Sequence, residues 1–206
     1  MQPRIDYRKY GQEPLKSLYD IENYLSHSGL DHKLLLLIKM RASQINGCAF
    51  CLDMHSIDAR AEGESEQRLY TLNAWRETPF FNDRERAALA WTEAATNVSE
   101  THMPDEVFAE VKKHFSEKEI VDLTLAVAMI NLWNRVAISL RSVPGHYRPS
   151  LTMSTPSSTF EQASPFTPAS GLVRCSCLLH RRPRLARNLS VGFSPTQPSL
   201  RSLLRP

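Results

Sequence analysis

A chain of 206 residues, 42% hydrophobic and 23% charged, has room for one ordinary domain and some length beyond it. Its net charge of +3 hides a split. Seven of the 25 basic residues and one of the 22 acidic ones lie from Leu151 onward, which leaves residues 1–150 with 18 and 21, a net −3. That acidic balance gives no sign of a nucleic-acid partner. The first ten residues lack the apolar stretch of a secretory signal, and the longest aliphatic run, Leu34 to Ile38, is far short of the ~20 residues that cross a bilayer. No membrane partner and a cytoplasmic location are therefore expected. Four cysteines are too few for a disulfide scaffold in a chain of this length.

The predicted elements are all helices. Leu15, Leu18, Ile21 and Leu25 recur at helical spacing between Glu13 and His27. Asp31 can cap a second helix that runs to about Ile45 and stops at Asn46-Gly47. A third spans Cys48 to Ala61 and ends at Gly63, and a short fourth runs from Ser65 to about Ala74, before the break at Thr78-Pro79. Asn82 or Asp83 caps Arg84 to Asn97, and Pro104 suits the first position of a helix reaching Phe115. Ser116 and Glu119 form a capping box in front of a long helix to about Arg141, apolar around much of its circumference. Such a helix belongs in the middle of a bundle or at a subunit interface. No strand alternation of useful length is present, so residues 1–148 read as one all-α domain, a bundle of about six to seven helices.

Residues 149–206 differ. From Leu151 they hold seven prolines, ten serines, seven arginines, no lysine and one acid, Glu161. That composition predicts a disordered Pro/Ser/Arg-rich tail, because it buries too little apolar surface to offset the entropy of ordering. The abrupt change in base usage also resembles translation past a frame change. Cys175 and Cys177 in this tail are read as neither metal ligands nor a redox pair.

The chemistry concentrates in Cys48-Ala49-Phe50-Cys51-Leu52-Asp53-Met54-His55. At 3.6 residues per turn, positions 48, 51 and 55 share one helix face. Two thiols that can close a disulfide, beside a group that moves protons near neutral pH, are the minimum equipment for thiol redox chemistry. Cys48 is placed to benefit from the helix N-terminus, and Cys51 has His55 at i+4, so either can be the attacking thiol. One thiolate can open a peroxide O–O bond and the second cysteine then close the disulfide, or the pair can exchange with a partner's disulfide. A zinc site needs more ligands than this segment offers, and the remaining histidines form no ligand cluster in sequence. Two structural cysteines buried in a bundle are the plainer alternative.

Several motifs around this segment occur in a recognisable order. Arg41-Ala42-Ser43-Gln44-Ile45-Asn46-Gly47 precedes the CxxC, and Asp58-Ala59-Arg60 and Gly63-Glu64 follow it. Arg68-Leu69, Trp75-Arg76-Glu77, Glu85 to Trp91, and Asn131-Leu132-Trp133-Asn134-Arg135 come next. Over about residues 5–148 the chain resembles the AhpD-like branch of the carboxymuconolactone decarboxylase family. The resemblance implies a helical fold that assembles into trimers or hexamers. It also implies a CxxC-dependent alkylhydroperoxidase or disulfide reductase of the peroxiredoxin type that uses neither metal nor cofactor. Its partners would be a hydroperoxide substrate and a dithiol protein or small thiol as reductant. By motif position Cys51 would attack the peroxide, Cys48 would resolve, and His55 would relay the proton. One departure stands out: AhpD-like proteins commonly carry a glutamate twelve residues before the first cysteine, and here that position is Leu36. Glu93 is a candidate replacement. Two other readings are a decarboxylase of the type that names the family, and a non-catalytic oligomeric redox sensor. Trp75, Trp91 and Trp133 are expected in packing, while Arg41, Ser43, Asn131 and Arg135 are open between the thiol wall and other contacts.

Overall fold

The structure is a computed structural model and describes residues 1–149. The tail expected to be disordered therefore lies, from residue 150, outside the described residues, together with Cys175 and Cys177. Among the described residues there are nine α-helices and no strand: α1 (Tyr7–Tyr10), α2 (Gln12–Ser26), α3 (His32–Asn46), α4 (Ala49–Ala61), α5 (Glu66–Thr71), α6 (Asp83–Thr96), α7 (Val98–Thr101), α8 (Asp105–His114) and α9 (Glu117–Leu140). All seven helices read from the sequence are present. The count is corrected upward by α1 and α7, single turns too short to carry a hydrophobic period. The fourth helix is corrected as well. Its α-helical part stops at Thr71, and Leu72–Glu77 continues as a 3₁₀ turn that buries Leu72 and Trp75.

Local chemistry fixes the helix starts. The Asp31 carboxylate accepts from the Lys33 N–H, and the Ser65 hydroxyl from the Arg68 N–H. Asn82 with Glu85 and Ser116 with Glu119 each form a reciprocal capping box. The Ser116 backbone N–H and the Arg84 guanidinium hold the Glu119 carboxyl down to about 2.

α9 is the centre of the bundle and packs against α2, α3, α4, α6 and α8. Its length and composition match those of a membrane-crossing helix, but its buried face carries Asp122, Asn131 and Asn134 among Leu123, Ala126, Val127 and Ile130. Asp122, 1% exposed, accepts from the Tyr24 hydroxyl at 2.9 Å and from Lys118 at 2.6 Å, which ties α2 to α9. Leu123, wholly buried in the main apolar cluster with Leu25, Ile38 and Val111, is a position where truncation to alanine costs about 2–5 kcal/mol. A second cluster gathers Leu36, Leu37, Met40, Leu72 and Trp75. A third, smaller one packs Ala42, Ile130 and Ala137 around Cys48 and Cys51.

Candidate active site

The thiols are positioned by the way α3 stops. Gly47 adopts a left-handed conformation (φ 68°, ψ 32°), its N–H bonds the Gln44 carbonyl, and the Cys48 N–H bonds the Ser43 carbonyl at 3.0 Å. This paired closure is a Schellman motif, and the glycine adopts the conformation without the penalty a Cβ would bring. The next residue, Cys48, is at once the N-cap of α4 (φ −84°, ψ 94°), so the chain reverses with no spare loop.

Cys48 caps α4 with sulfur instead of oxygen. Its Sγ accepts from the Cys51 backbone N–H at 3.4 Å, and the two sulfurs share a hydrogen bond at 2.6 Å. Both cysteines are free thiols, 1% and 2% exposed. The hydrogen bond from Cys51 lowers the Cys48 thiol to about 7, against the opposing effect of burial. The same bond, with burial, pushes the Cys51 thiol up, because its proton is held between the sulfurs. The anion of the pair therefore resides on Cys48.

Access runs the other way. A cavity of about 260 Å³ is lined by Cys51, His55, Phe50, Met54 and Trp133, with Glu22 and Lys39 at its polar side, and Cys48 does not line it. Tyr19 stacks on Trp133 with centroids 5.6 Å apart, and Glu22 accepts from both the Trp133 indole (2.9 Å) and Lys39 (2.7 Å). His55 is 6% exposed, and burial holds its imidazole below its ordinary pKa despite the nearby Asp58 carboxylate. Its Nδ1 lies 3.7 Å from Asp58 Oδ2, too far for a hydrogen bond, and has no hydrogen-bond partner among the described residues. Asp58 in turn accepts from the Tyr147 hydroxyl at 2.7 Å; burial first, and then this bond, raise that phenol to about 12. With the Gly145 N–H bonded to Asp53 at 2.7 Å, this contact straps the segment after α9 across α4.

Cys48, Cys51 and His55 thus come together, the thiols in direct contact and the imidazole beside Cys51 in the cavity wall. One expectation is corrected. Glu93 does not reach the thiols, because Arg41 (2.7 Å), the Trp75 indole (2.9 Å) and Arg76 hold it in a separate cluster. Leu36, where the glutamate was sought, is buried in the second apolar cluster. The acids at the site are instead Glu22 from α2, which no sequence spacing marked, and Asp58 from α4, three residues after His55. Arg41 belongs to the Glu93 cluster, whereas Ser43 is wholly buried and forms part of the thiol wall. Of the tryptophans, Trp75 and Trp91 pack in apolar clusters, and Trp133 lines the cavity. Among the described residues no three His, Cys, Asp or Glu side chains gather as a metal-ligand set.

Comparison with known proteins agrees with this fold. The profile of the carboxymuconolactone decarboxylase family matches residues 13–94. The chain is 43% identical to the uncharacterised protein YdfG of Bacillus subtilis over 140 residues, 68% of this chain and 95% of that protein. A crystal structure from Agrobacterium tumefaciens, of a protein of unknown function provisionally named as the antioxidant defence protein AhpD, is 46% identical. It covers 70% of this chain and 99% of its own, with a TM-score of 0.68. An uncharacterised peroxidase-related protein from Silicibacter sp. TM1040 superposes with a TM-score of 0.59 at 25% identity, over 65% of this chain and 71% of its own. The chain belongs to the carboxymuconolactone decarboxylase family, in its AhpD-like branch.

Proposed function

We propose that the protein is a thiol-dependent peroxidase and disulfide oxidoreductase of the alkylhydroperoxidase kind, working through Cys48, Cys51 and His55. The observation that carries this reading is the direct contact of two free, buried thiols, one of which opens with an unpartnered imidazole into a cavity.

The reaction follows from who holds the protons. The pair first loses one proton, and His55, neutral because it is buried, is the group in the cavity able to accept it. Asp58, 3.7 Å away, offsets part of the cost of the resulting cation. The remaining proton sits between the sulfurs, and its shift across 2.6 Å onto Cys48 places the anion on Cys51, the sulfur that faces the cavity. Cys51 attacks the hydroperoxide. An S–O bond forms, the O–O bond breaks, and the departing alkoxide takes the proton from His55 to leave as alcohol. Cys48 then attacks the Cys51 sulfenic acid; the S–S bond forms, and the S–O bond breaks with loss of hydroxide, which takes the Cys48 proton to become water. A dithiol protein or small thiol returns the disulfide to the dithiol by exchange. Phe50, Met54 and Trp133 favour an organic hydroperoxide over hydrogen peroxide, since they give its apolar portion a place to bind.

Consumption of cumene hydroperoxide with dithiothreitol as reductant tests the reading in wild type, Cys51→Ser and Cys48→Ser. Both variants are expected to lose turnover. Equal consumption by all three proteins contradicts it.

A further inference from the structure

We propose that Asn134 is the thiolate-stabilising donor of the Cys48–Cys51 pair, its N–H edge turned to the sulfurs by a chain of amides that begins at Asn131. This inference rests on the thiol reading of the site.

The two edges of an asparagine amide have the same shape and opposite polarity, so the partners decide which is which. Asn131 has two partners whose roles cannot reverse. The Arg135 guanidinium only donates, and its Nη1 lies 3.1 Å from Oδ1; the Val127 carbonyl only accepts, and lies 2.9 Å from Nδ2. Asn131 therefore presents its oxygen to Asn46, whose Nδ2 donates to it at 2.9 Å. That same Nδ2 lies 2.8 Å from the neighbouring atom of Asn134, which must then be Oδ1. The nitrogen of Asn134 is left facing Ser43, whose hydroxyl accepts one of its hydrogens at 3.0 Å.

The second hydrogen has few places to go. Asn134 has no exposed surface, and it shares an α9 face with Ile130 and Ala137, the residues of that helix that pack in the thiol cluster. A buried donor needs an acceptor, and the cysteine sulfurs of that cluster are the ones we assign to it. The Asn134 amide lowers the thiol pKa of both cysteines, as an N–H edge does and a carbonyl edge does not. Ser43 adds to the wall by accepting the Cys48 N–H through its carbonyl. Four polar residues on α3 and α9 thus act through one another on a charge that forms at the start of α4.

The test is the pH dependence of alkylation by iodoacetamide, read by mass spectrometry at Cys48 and Cys51 and by thiolate absorbance at 240 nm, on the full chain. In Asn134→Leu the profile moves up by about one pH unit, so alkylation at pH 6.5 is about tenfold slower. Asn46 is partly exposed at the end of α3, and Asn46→Leu, which releases the Asn134 amide, slows it by about threefold. Thermal unfolding confirms that each variant is folded; if Asn134→Leu is not, Asn46→Leu decides. A folded variant with the wild-type profile overturns the inference. Peroxide consumption measured alongside separates the two ideas: a wild type that titrates low but consumes no peroxide refutes the peroxidase reading and leaves the Asn134 role standing.

Discussion

The Cys48 and Cys51 sulfurs share a hydrogen bond across 2.6 Å, so the two cysteines hold their protons as one unit. The anion is stabilised at the sulfur that caps α4, while the cavity opens on the other. Replacing Cys51 by alanine removes the largest stabilising contact of the Cys48 thiolate. The alkylation profile of Cys48 in Cys51→Ala is expected to move upward from about 7 toward an ordinary thiol, measured by iodoacetamide trapping across pH. A profile that stays put means that the helix N-terminus alone sets this thiol.

Peroxidase turnover should follow the same group. The anion of the pair populates as pH rises through about 7, so the rate of peroxide reduction is expected to climb through that range and level off above it. Pre-steady-state rates from pH 5.5 to 9 check this, and a rate that falls over the same interval contradicts it.

Burial lowers the pKa of His55 in the folded chain, so the unfolded chain binds its proton first as pH falls. Stability from this group is present above the unfolded value near 6.5 and is lost as pH drops through the lower folded value. In urea titrations at pH 7.5 and pH 5, His55→Gln is expected to lose less stability on acidification than the wild type. An equal loss in both assigns the acid sensitivity to other groups.

Gly47 tests the turn that delivers the thiols. A Cβ there would meet no atom within 4 Å, so the effect of Gly47→Ala is conformational and not steric. Left-handed backbone with a side chain costs about 1–2 kcal/mol, measurable by chemical denaturation. Because the same turn sets the Cys48 cap, the variant is also expected to alkylate more slowly at neutral pH.

Much of the fold was legible because capping chemistry is local. Asp31, Asn82 and the Ser116–Glu119 box each declare a helix start within four residues of sequence, and Asn46-Gly47 declares an end. The face shared by Cys48, Cys51 and His55 followed from helical period alone. Partners supplied by distant elements could not be read in this way. Glu22 reaches the cavity from α2 and Tyr147 reaches Asp58 from beyond α9, contacts that only packing creates. Glu93 misled for the complementary reason: it lies on the helix that holds Trp91, but three donors hold it away from the thiols. Asn134 carried a signal that is readable in retrospect, an amide on the most apolar helix three residues after another. A buried polar pair on such a helix implies partners without naming them.

Assembly into a trimer or hexamer, which family resemblance implies, has a candidate surface. Trp91, Ala95, Met103, Ala128, Leu132 and Val136 line an open apolar groove of about 660 Å³ between α6 and α9. Light scattering is expected to give a mass above that of one chain for the wild type, and a lower mass for Leu132→Glu. A wild type that is monomeric at every concentration contradicts this.

The central claim is that Cys48 and Cys51 are oxidised together by a peroxide that reaches Cys51. A free-thiol count after one equivalent of cumene hydroperoxide, without reductant, tests it most directly. Wild type is expected to lose both thiols of the pair to an intramolecular disulfide. Cys48→Ser is expected to stop at a sulfenic acid on Cys51 that dimedone traps, and Cys51→Ser to react about 10³-fold more slowly. A wild type that keeps both thiols reduced, or a Cys51→Ser variant that consumes peroxide at the wild-type rate, contradicts the account.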